Sequence, residues 1–322
     1  MAVSNPIDRT SGGTTTSAAA RRRGVDALLR RSPLQPLFRV RAARRLAVLA
    51  YHGVDDPASF AAQMERLAST AHPVTLGQVE RALAERRPLP PRSVLVTFDD
   101  GDRTVLTDGL PVLTRLGIPA VAYVIAQLID GDQPFWWSEA AYLATRGGTA
   151  RGLPDADPGA VVARMKRLPD ADRRRALEEL RATADRPAPR RPQLTGADLT
   201  ALRESGVEIG NHSLSHPCLD RCDDPTVRTE VLGAHRLLTD RLGEPPTSFA
   251  YPNGNVDRRA EQVLLELGYT TGFLFDHRHD ALRPANPLRI SRLRVNSTTG
   301  RDRFDTILSG LHPAVHRLRG GR

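Results

Sequence analysis

Apolar residues gather along the chain into seven short runs bounded by charged or turn-forming residues, and each run predicts a strand. The runs are Leu46 to Tyr51, Val94 to Phe98, Ala120 to Ile125, Val207 to Gly210, Ser248 to Tyr251, Thr270 to Phe275 and Ile290 to Val295. Helical spacing of apolar positions fills most of the gaps. Phe60 to Leu67 and Leu76 to Leu83 follow the first run, and Val105 to Leu116 follows the second. Thr226 to Leu242 precedes the fifth, and Arg258 to Leu267 precedes the sixth. Strands alternating with helices require crossover connections, so the strands run parallel and the fold class is α/β, a barrel or an open sheet.

Two stretches depart from this rhythm. Residues 147 to 195 carry Pro154, Pro158, Pro169, Pro187, Pro189 and Pro192 among many Arg, Asp and Ala. They read as an inserted lid or flank, with Leu168 to Leu180 helical inside it. Residues 1 to about 20 are rich in Ser, Thr, Gly and Ala and read as a disordered leader. From 21 to 45, arginines alternate with Leu28, Leu29, Leu34, Leu37 and Phe38, a pattern attracted to anionic lipid. Pro33 and Pro36 interrupt any continuous helix there, which favours a solvated basic arm packed on the domain.

Composition narrows the class. The 322 residues are 40% hydrophobic and 26% charged, as expected of a soluble globular enzyme. The formal charge of +9 rests on arginine, with Lys166 the only lysine, a skew expected of a high-GC genome. No RNA- or DNA-binding motif accompanies it, so no nucleic-acid partner is expected. The N-terminus lacks the apolar core of a signal peptide, and no run reaches the ~20 apolar residues that span a bilayer. The expected location is cytoplasmic, with peripheral contact to an anionic membrane through the basic arm.

The chemistry gathers where strands end. Thr97-Phe98-Asp99-Asp100-Gly101 closes the second strand on two adjacent carboxylates, which repel unless a cation or a proton intervenes. Asn211-His212-Ser213-Leu214-Ser215-His216 follows the fourth strand. Two histidines four apart meet on one face of a helical turn, a spacing suited to a divalent ion. Both motifs fall at C-terminal strand ends, the active-site edge of parallel sheets and barrels. A rival zinc set of His212, His216, Cys218 and Cys222 leaves too little chain between ligand pairs, and the two thiols read as small buried residues. Phe249-Ala250-Tyr251-Pro252-Asn253-Gly254 ends the fifth strand in a turn able to present backbone N–H groups to an oxyanion. Tyr51-His52-Gly53 places a histidine on the same rim, where it can serve as a general acid.

Taken together, TFDDG, HSLSH and FAYPNG resemble the motifs of the polysaccharide deacetylases of carbohydrate esterase family 4, the NodB-homology domain, over about residues 46 to 296. The resemblance implies a distorted (β/α)7 barrel as a single catalytic domain over 46–300, with a basic C-terminal tail over 301–322. It implies Asp100, His212 and His216 as ligands of a divalent metal, zinc first, with nickel, cobalt or iron as alternatives. It implies Asp99 as general base and the backbone N–H of Tyr251 as an oxyanion donor. Ser248 and Phe249 stand where an arginine usually opens the third motif. The fourth, Asp/Trp-containing motif has no clear counterpart. The late Leu-x-His motif is absent from Ile290 to Val295, and His312 and His316 fall in the tail. The Tyr51-His52 strand is similar instead to the circularly permuted poly-N-acetylglucosamine deacetylases, whose acid histidine lies near the start of the domain, which assigns the acid to His52.

The expected reaction is hydrolysis of an N-acetyl group from an amino sugar, with Trp137 and Arg292 as further substrate contacts. Two other readings stay open. One is an N-deacetylase of a small cytoplasmic sugar, glycolipid or antibiotic precursor. The other is a metal-free carbohydrate- or membrane-binding module, against which the intact Asp99, Asp100, His212 and His216 count. His277 and His279 read as loop residues.

Overall fold

The computed structural model describes residues 24–154 and 157–318. Nine strands form one curled sheet: β1 (Arg45–Tyr51), β2 (His72–Pro73), β3 (Ser93–Phe98), β4 (Ala120–Val124), β5 (Val207–Asn211), β6 (Ser248–Ala250), β7 (Thr271–Phe273), β8 (Asp280–Ala281) and β9 (Leu293–Arg294). The hydrogen-bonded order is β7-β6-β5-β4-β3-β1-β8, with β2 beside β3 and β9 beside β1. Every pairing is parallel except β8 against β1. β3 is buried at all its positions and β1 at all but its first, which is why both read as unbroken apolar runs rather than alternating ones.

The sheet curls far enough for its last segment to bridge the edges. Ile290 pairs with Phe273 of β7, while Leu293 and Arg294 pair with Leu49 and Ala50 of β1. The α/β distorted barrel expected from the sequence is therefore present, with the seven predicted runs as its staves. The closing stave is thinner than predicted. Ile290 to Val295 was expected as one strand, but the N–H groups of Ser291 and Arg292 go to the carboxylates of Asp280 and Asp276 instead of a ladder. Ordered pairing is left only at its ends. Thr270 to Phe275 is shortened to Thr271–Phe273. β2 and β8, two residues each, carry too little pattern to be read beforehand.

The helices follow their start signals. Asp56 caps Pro57–Thr70 by accepting from the Ser59 N–H at 3.0 Å, and Thr75 with Gln78 forms a capping box for Leu76–Ala84. The helix expected over Val105 to Leu116 divides into a π-turn, Val105–Gly109, and an α-helix, Leu110–Leu116. Pro111 has no N–H for the carbonyl four residues back, and the wide turn absorbs the gap.

Between β4 and β5 the Pro-rich insertion carries two helices. Pro158–Met165 and Asp170–Thr183 pack on Trp136–Thr145 around a separate apolar cluster including Phe135, Val161, Met165 and Leu180. The predicted helix over Leu168 to Leu180 corresponds to Asp170–Thr183.

The first and last described segments meet. The expected leader lies outside the described residues, but residues 24–30 and Gln35–Ala42 are helical, the second packing on Arg301–Ser309. Arg30 and Arg66 reach the buried Asp305 at 3.3 and 2.9 Å. The expected C-terminal tail is likewise corrected to two helices, Arg301–Ser309 and Leu311–Leu318, because Phe304, Ile307 and Leu311 bury themselves against the barrel. Among the described residues no helix is long and apolar enough to cross a membrane.

Candidate active site

A cleft of about 710 Å³ opens at the C-terminal ends of the strands, with His52 following β1, Asp99 and Asp100 following β3, and His212 and His216 following β5. The expected HxxxH helical turn is absent. Ser213 and His216 both take left-handed φ, 65° and 59°, so the motif is an irregular loop. It is braced by side chains: Asn211 Oδ1 accepts the Ser213 N–H at 2.7 Å, and Ser213 Oγ accepts the His216 N–H at 3.0 Å. The histidines converge nonetheless, their ring centroids 4.7 Å apart. Asp100, with φ 70°, and Asn253, with φ 56°, are also left-handed, so unfavourable backbone concentrates at the cleft. Gly210 precedes the loop of necessity, since a Cβ there would sit 2.3 Å from the Tyr123 ring.

Asp100, His212 and His216 are all buried and present one ligand atom each within 4.8 Å of one another. His212 Nε2 and His216 Nε2 each lie 3.4 Å from Asp100 Oδ1, which has no hydrogen-bond partner. His212 Nδ1 lies 2.8 Å from the carbonyl oxygen of Ala250 and must donate to it, so a neutral ring turns the lone pair of Nε2 toward the carboxylate. Facing lone pairs in a buried site suit a cation, and one carboxylate with two imidazoles is a donor set for zinc or a similar divalent ion. Burial would depress His212, but the Asp99 and Asp100 charges outweigh it and hold it above the usual imidazole range. Burial and the His212 charge push His216 down to about 3.

Asp99 faces the other way. Its two carboxylate oxygens accept from Arg292 Nη1 and Nη2 at 2.7 and 2.8 Å, a bidentate pair with both side chains almost wholly buried. Burial would raise the Asp99 pKa, but Arg292 and His212 outweigh it and hold it below the ordinary carboxylate range. Arg292 is fixed in turn by the Leu274 carbonyl at 2.6 Å and by Thr97 Oγ1 at 3.1 Å. This corrects the expectation that Arg292 contacts substrate: it is 0% exposed and stands behind Asp99, outside the cleft wall.

Tyr251 also departs from expectation. Its N–H donates to the Phe273 carbonyl at 3.0 Å, continuing the β6–β7 ladder, and its ring is buried. It has no N–H left for an oxyanion. The next residues of the turn, Asn253 and Gly254, line the cleft instead. Trp137 does line the cleft, but at 7% exposure it serves mainly as wall, stacked on Phe135 at 4.9 Å and against the His216 ring at 4.6 Å. His52 is exposed in the cleft, with its ring edge-on to Phe275 at 5.3 Å.

Arg294 of the last stave also lines the cleft, and Lys166 and Asn296 are among the lining residues that escaped the sequence reading. Lys166 had a signal, as the one lysine in an arginine-dominated chain. Cys218 and Cys222 are buried free thiols, pushed up by burial to about 11 and about 12 and outside the Asp100 cluster.

Known proteins carry the same arrangement of strands. Over 66 residues the chain is 30% identical to chitin deacetylase 1 of Cryptococcus neoformans, a match that spans 20% of this chain and 14% of that protein. The deacetylase PplD of Streptococcus pyogenes, solved in complex with acetate, superposes with TM-score 0.58 at 16% identity, covering 82% of this chain and 98% of that one. IcaB from Ammonifex degensii superposes with TM-score 0.58 at 20% identity, covering 83% and 96%. These two likenesses are of fold. The polysaccharide deacetylase family model matches residues 86–272, more than half of the chain, a span holding the paired aspartates, both histidines and the Tyr251 turn. The chain belongs to the polysaccharide deacetylase family, the NodB-homology domain of carbohydrate esterase family 4.

Proposed function

We propose that the protein hydrolyses N-acetyl groups on an amino-sugar-containing glycan or glycoconjugate, using a divalent cation, zinc first, held by Asp100, His212 and His216. The observation that carries this reading is the division of labour between adjacent carboxylates: Asp100 faces two imidazoles and Asp99 faces a buried arginine. A bound cation of this kind polarises an acetamide carbonyl and eases deprotonation of water.

The residues do the rest. Asp99, kept ionised by Arg292, accepts the proton of the attacking water, and its fixed orientation lowers the entropic cost of that transfer. Trp137, packed on His216, keeps that imidazole in place. His52, solvated at the mouth, donates the proton that the departing amine requires. Acetate and a free amino sugar result. Acetate release from an N-acetylated oligosaccharide ladder, before and after chelation and metal add-back, tests the reading. Release that survives complete removal of metal would reject it. The same assay run on soluble N-acetyl sugars separates a polymer substrate from a small cytoplasmic one.

A second reading concerns location. Leu28, Leu34, Leu37 and Val40 are 71%, 52%, 65% and 64% exposed, unusual for large apolar residues. They alternate with Arg30, Arg31, Arg39, Arg41 and Arg44, which suits a surface of anionic lipid. Sedimentation with phosphatidylglycerol vesicles should fall for Leu28→Ser/Leu37→Ser, and unchanged binding would remove the membrane role.

A further inference from the structure

A second cavity, of about 910 Å³, adjoins the active-site cleft and shares Arg294, Asn296 and Thr298 with its wall. Three histidines, His277, His312 and His316, and three arginines, Arg294, Arg301 and Arg303, line it. His277 is buried, and its Nδ1 accepts the Arg294 N–H at 3.1 Å, which leaves Nε2 to donate to His312 Nδ1 at 3.0 Å. His316 packs edge-on to His277 at 5.3 Å, and its Nε2 is shielded from solvent without a hydrogen-bond partner. Burial first, and then the neighbouring His312, His316, Arg294 and Arg303, hold His277 down at about 3.

Two carboxylates line the cavity beside these six basic residues, and one of them, Asp302, is paired with Arg30 at 2.7 Å. Among the described residues, the ion pairs of this region join Arg30, Arg39 and Arg66 to Asp302 and Asp305 and leave out Arg301 and Arg303. Helix Arg301–Ser309 also begins here, at Gly300, with no side chain capping its first N–H groups.

We propose that this cavity is a subsite for an oxyanion group of the substrate, a phosphate or a carboxylate, so that the favoured amino sugar is an anionic one. The proposal rests on the deacetylase reading and names the substrate class within it. Guanidinium forks, imidazole N–H groups and an uncapped helix start are the donors that recognise such a group. The shared wall at Arg294 and Asn296 lets one molecule occupy both the cleft and the cavity.

Inorganic phosphate is the binding probe, titrated calorimetrically into the metal-loaded protein. The variant Arg301→Gln/Arg303→Gln should weaken binding by about tenfold or more. Arg301→Gln alone, at an exposed position, should weaken it less, with Tm unchanged. The ratio of kcat/KM for a phosphorylated N-acetylhexosamine over its neutral parent should exceed one in the wild type and fall in the double variant. An N-acetylhexosamine carrying a carboxylate, run in parallel, identifies which oxyanion is preferred. Equal phosphate affinity in wild type and double variant would overturn the proposal, since the phosphate would then be held elsewhere, at the cation. If no sugar releases acetate while the titration still responds to the arginines, the deacetylase reading fails and the subsite stands.

Discussion

The two walls of the cleft are built differently. On the β3–β5 wall, Asp100, His212 and His216 come from two short motifs, each rigidly local: TFDDG on one stave and HSLSH on another. Opposite it His52 follows β1, and Arg292, buried behind Asp99 on the closing stave, stands 193 residues from the carboxylate it serves. In the function proposed above, the first wall offers acceptor atoms to a cation, while Arg292 behind it sets the charge of Asp99. A cation-binding wall can be encoded by spacing. The counter-ion of the adjacent carboxylate is placed by the fold.

The sharpest way to break this comparison is on the first wall. His212→Ala should lose bound metal and turnover together, read by metal analysis and acetate release. Next in size, Asp99→Asn should keep the metal and lose about 10³-fold in kcat, the range for a general base. Wild-type turnover in that variant would transfer the base role elsewhere.

Arg292→Leu probes the counter-ion by leaving Asp99 buried without its partner, at a cost of roughly 3–5 kcal/mol, visible in denaturant unfolding. The pH dependence has a definite sign. Asp99 is depressed in the fold, so its stabilisation is complete above the unfolded carboxylate value of ~3.9 and drains away as pH falls through the lower folded value. In Arg292→Leu the acid limb of kcat/KM should therefore move to higher pH, and a limb that stays in place would separate Arg292 from Asp99 ionisation. His52→Ala should lower kcat by about 10²-fold, read by acetate release. The smallest effect is expected at Lys166→Met, a rise of about threefold in KM with kcat retained, because a solvated lysine at the rim adds uniform binding.

The contrast also explains what could be read from the chain. All seven staves and the metal-side cluster were legible, since buried parallel strands write themselves as apolar runs and the ligands directly follow them. The helical turn assigned to His212 and His216 was not legible, because Asn211 and Ser213 compete for the backbone with their own side chains. Tyr251 was misplaced by one step of ladder: a strand that continues past its apolar residues consumes the N–H that the turn was expected to expose. Arg292 reads as a substrate contact because period-two alternation cannot say whether a side chain of the closing stave faces the cleft or lies behind it. The His277–His312–His316 group joins a loop to a helix 35 residues later, a contact no local pattern announces.

The thin closing stave also bears on how the protein is made. Synthesis runs from the N-terminus, and the Asp99 counter-ion is emitted only when residue 292 leaves the ribosome. Until then β1, β3, β4 and β5 can associate, but their rim carries two buried aspartates without the guanidinium that tames one of them. A chain cut short before residue 292 would retain both the TFDDG and HSLSH motifs and lack the counter-ion of Asp99. The last stave thereby completes the charge balance of a motif made 193 residues earlier.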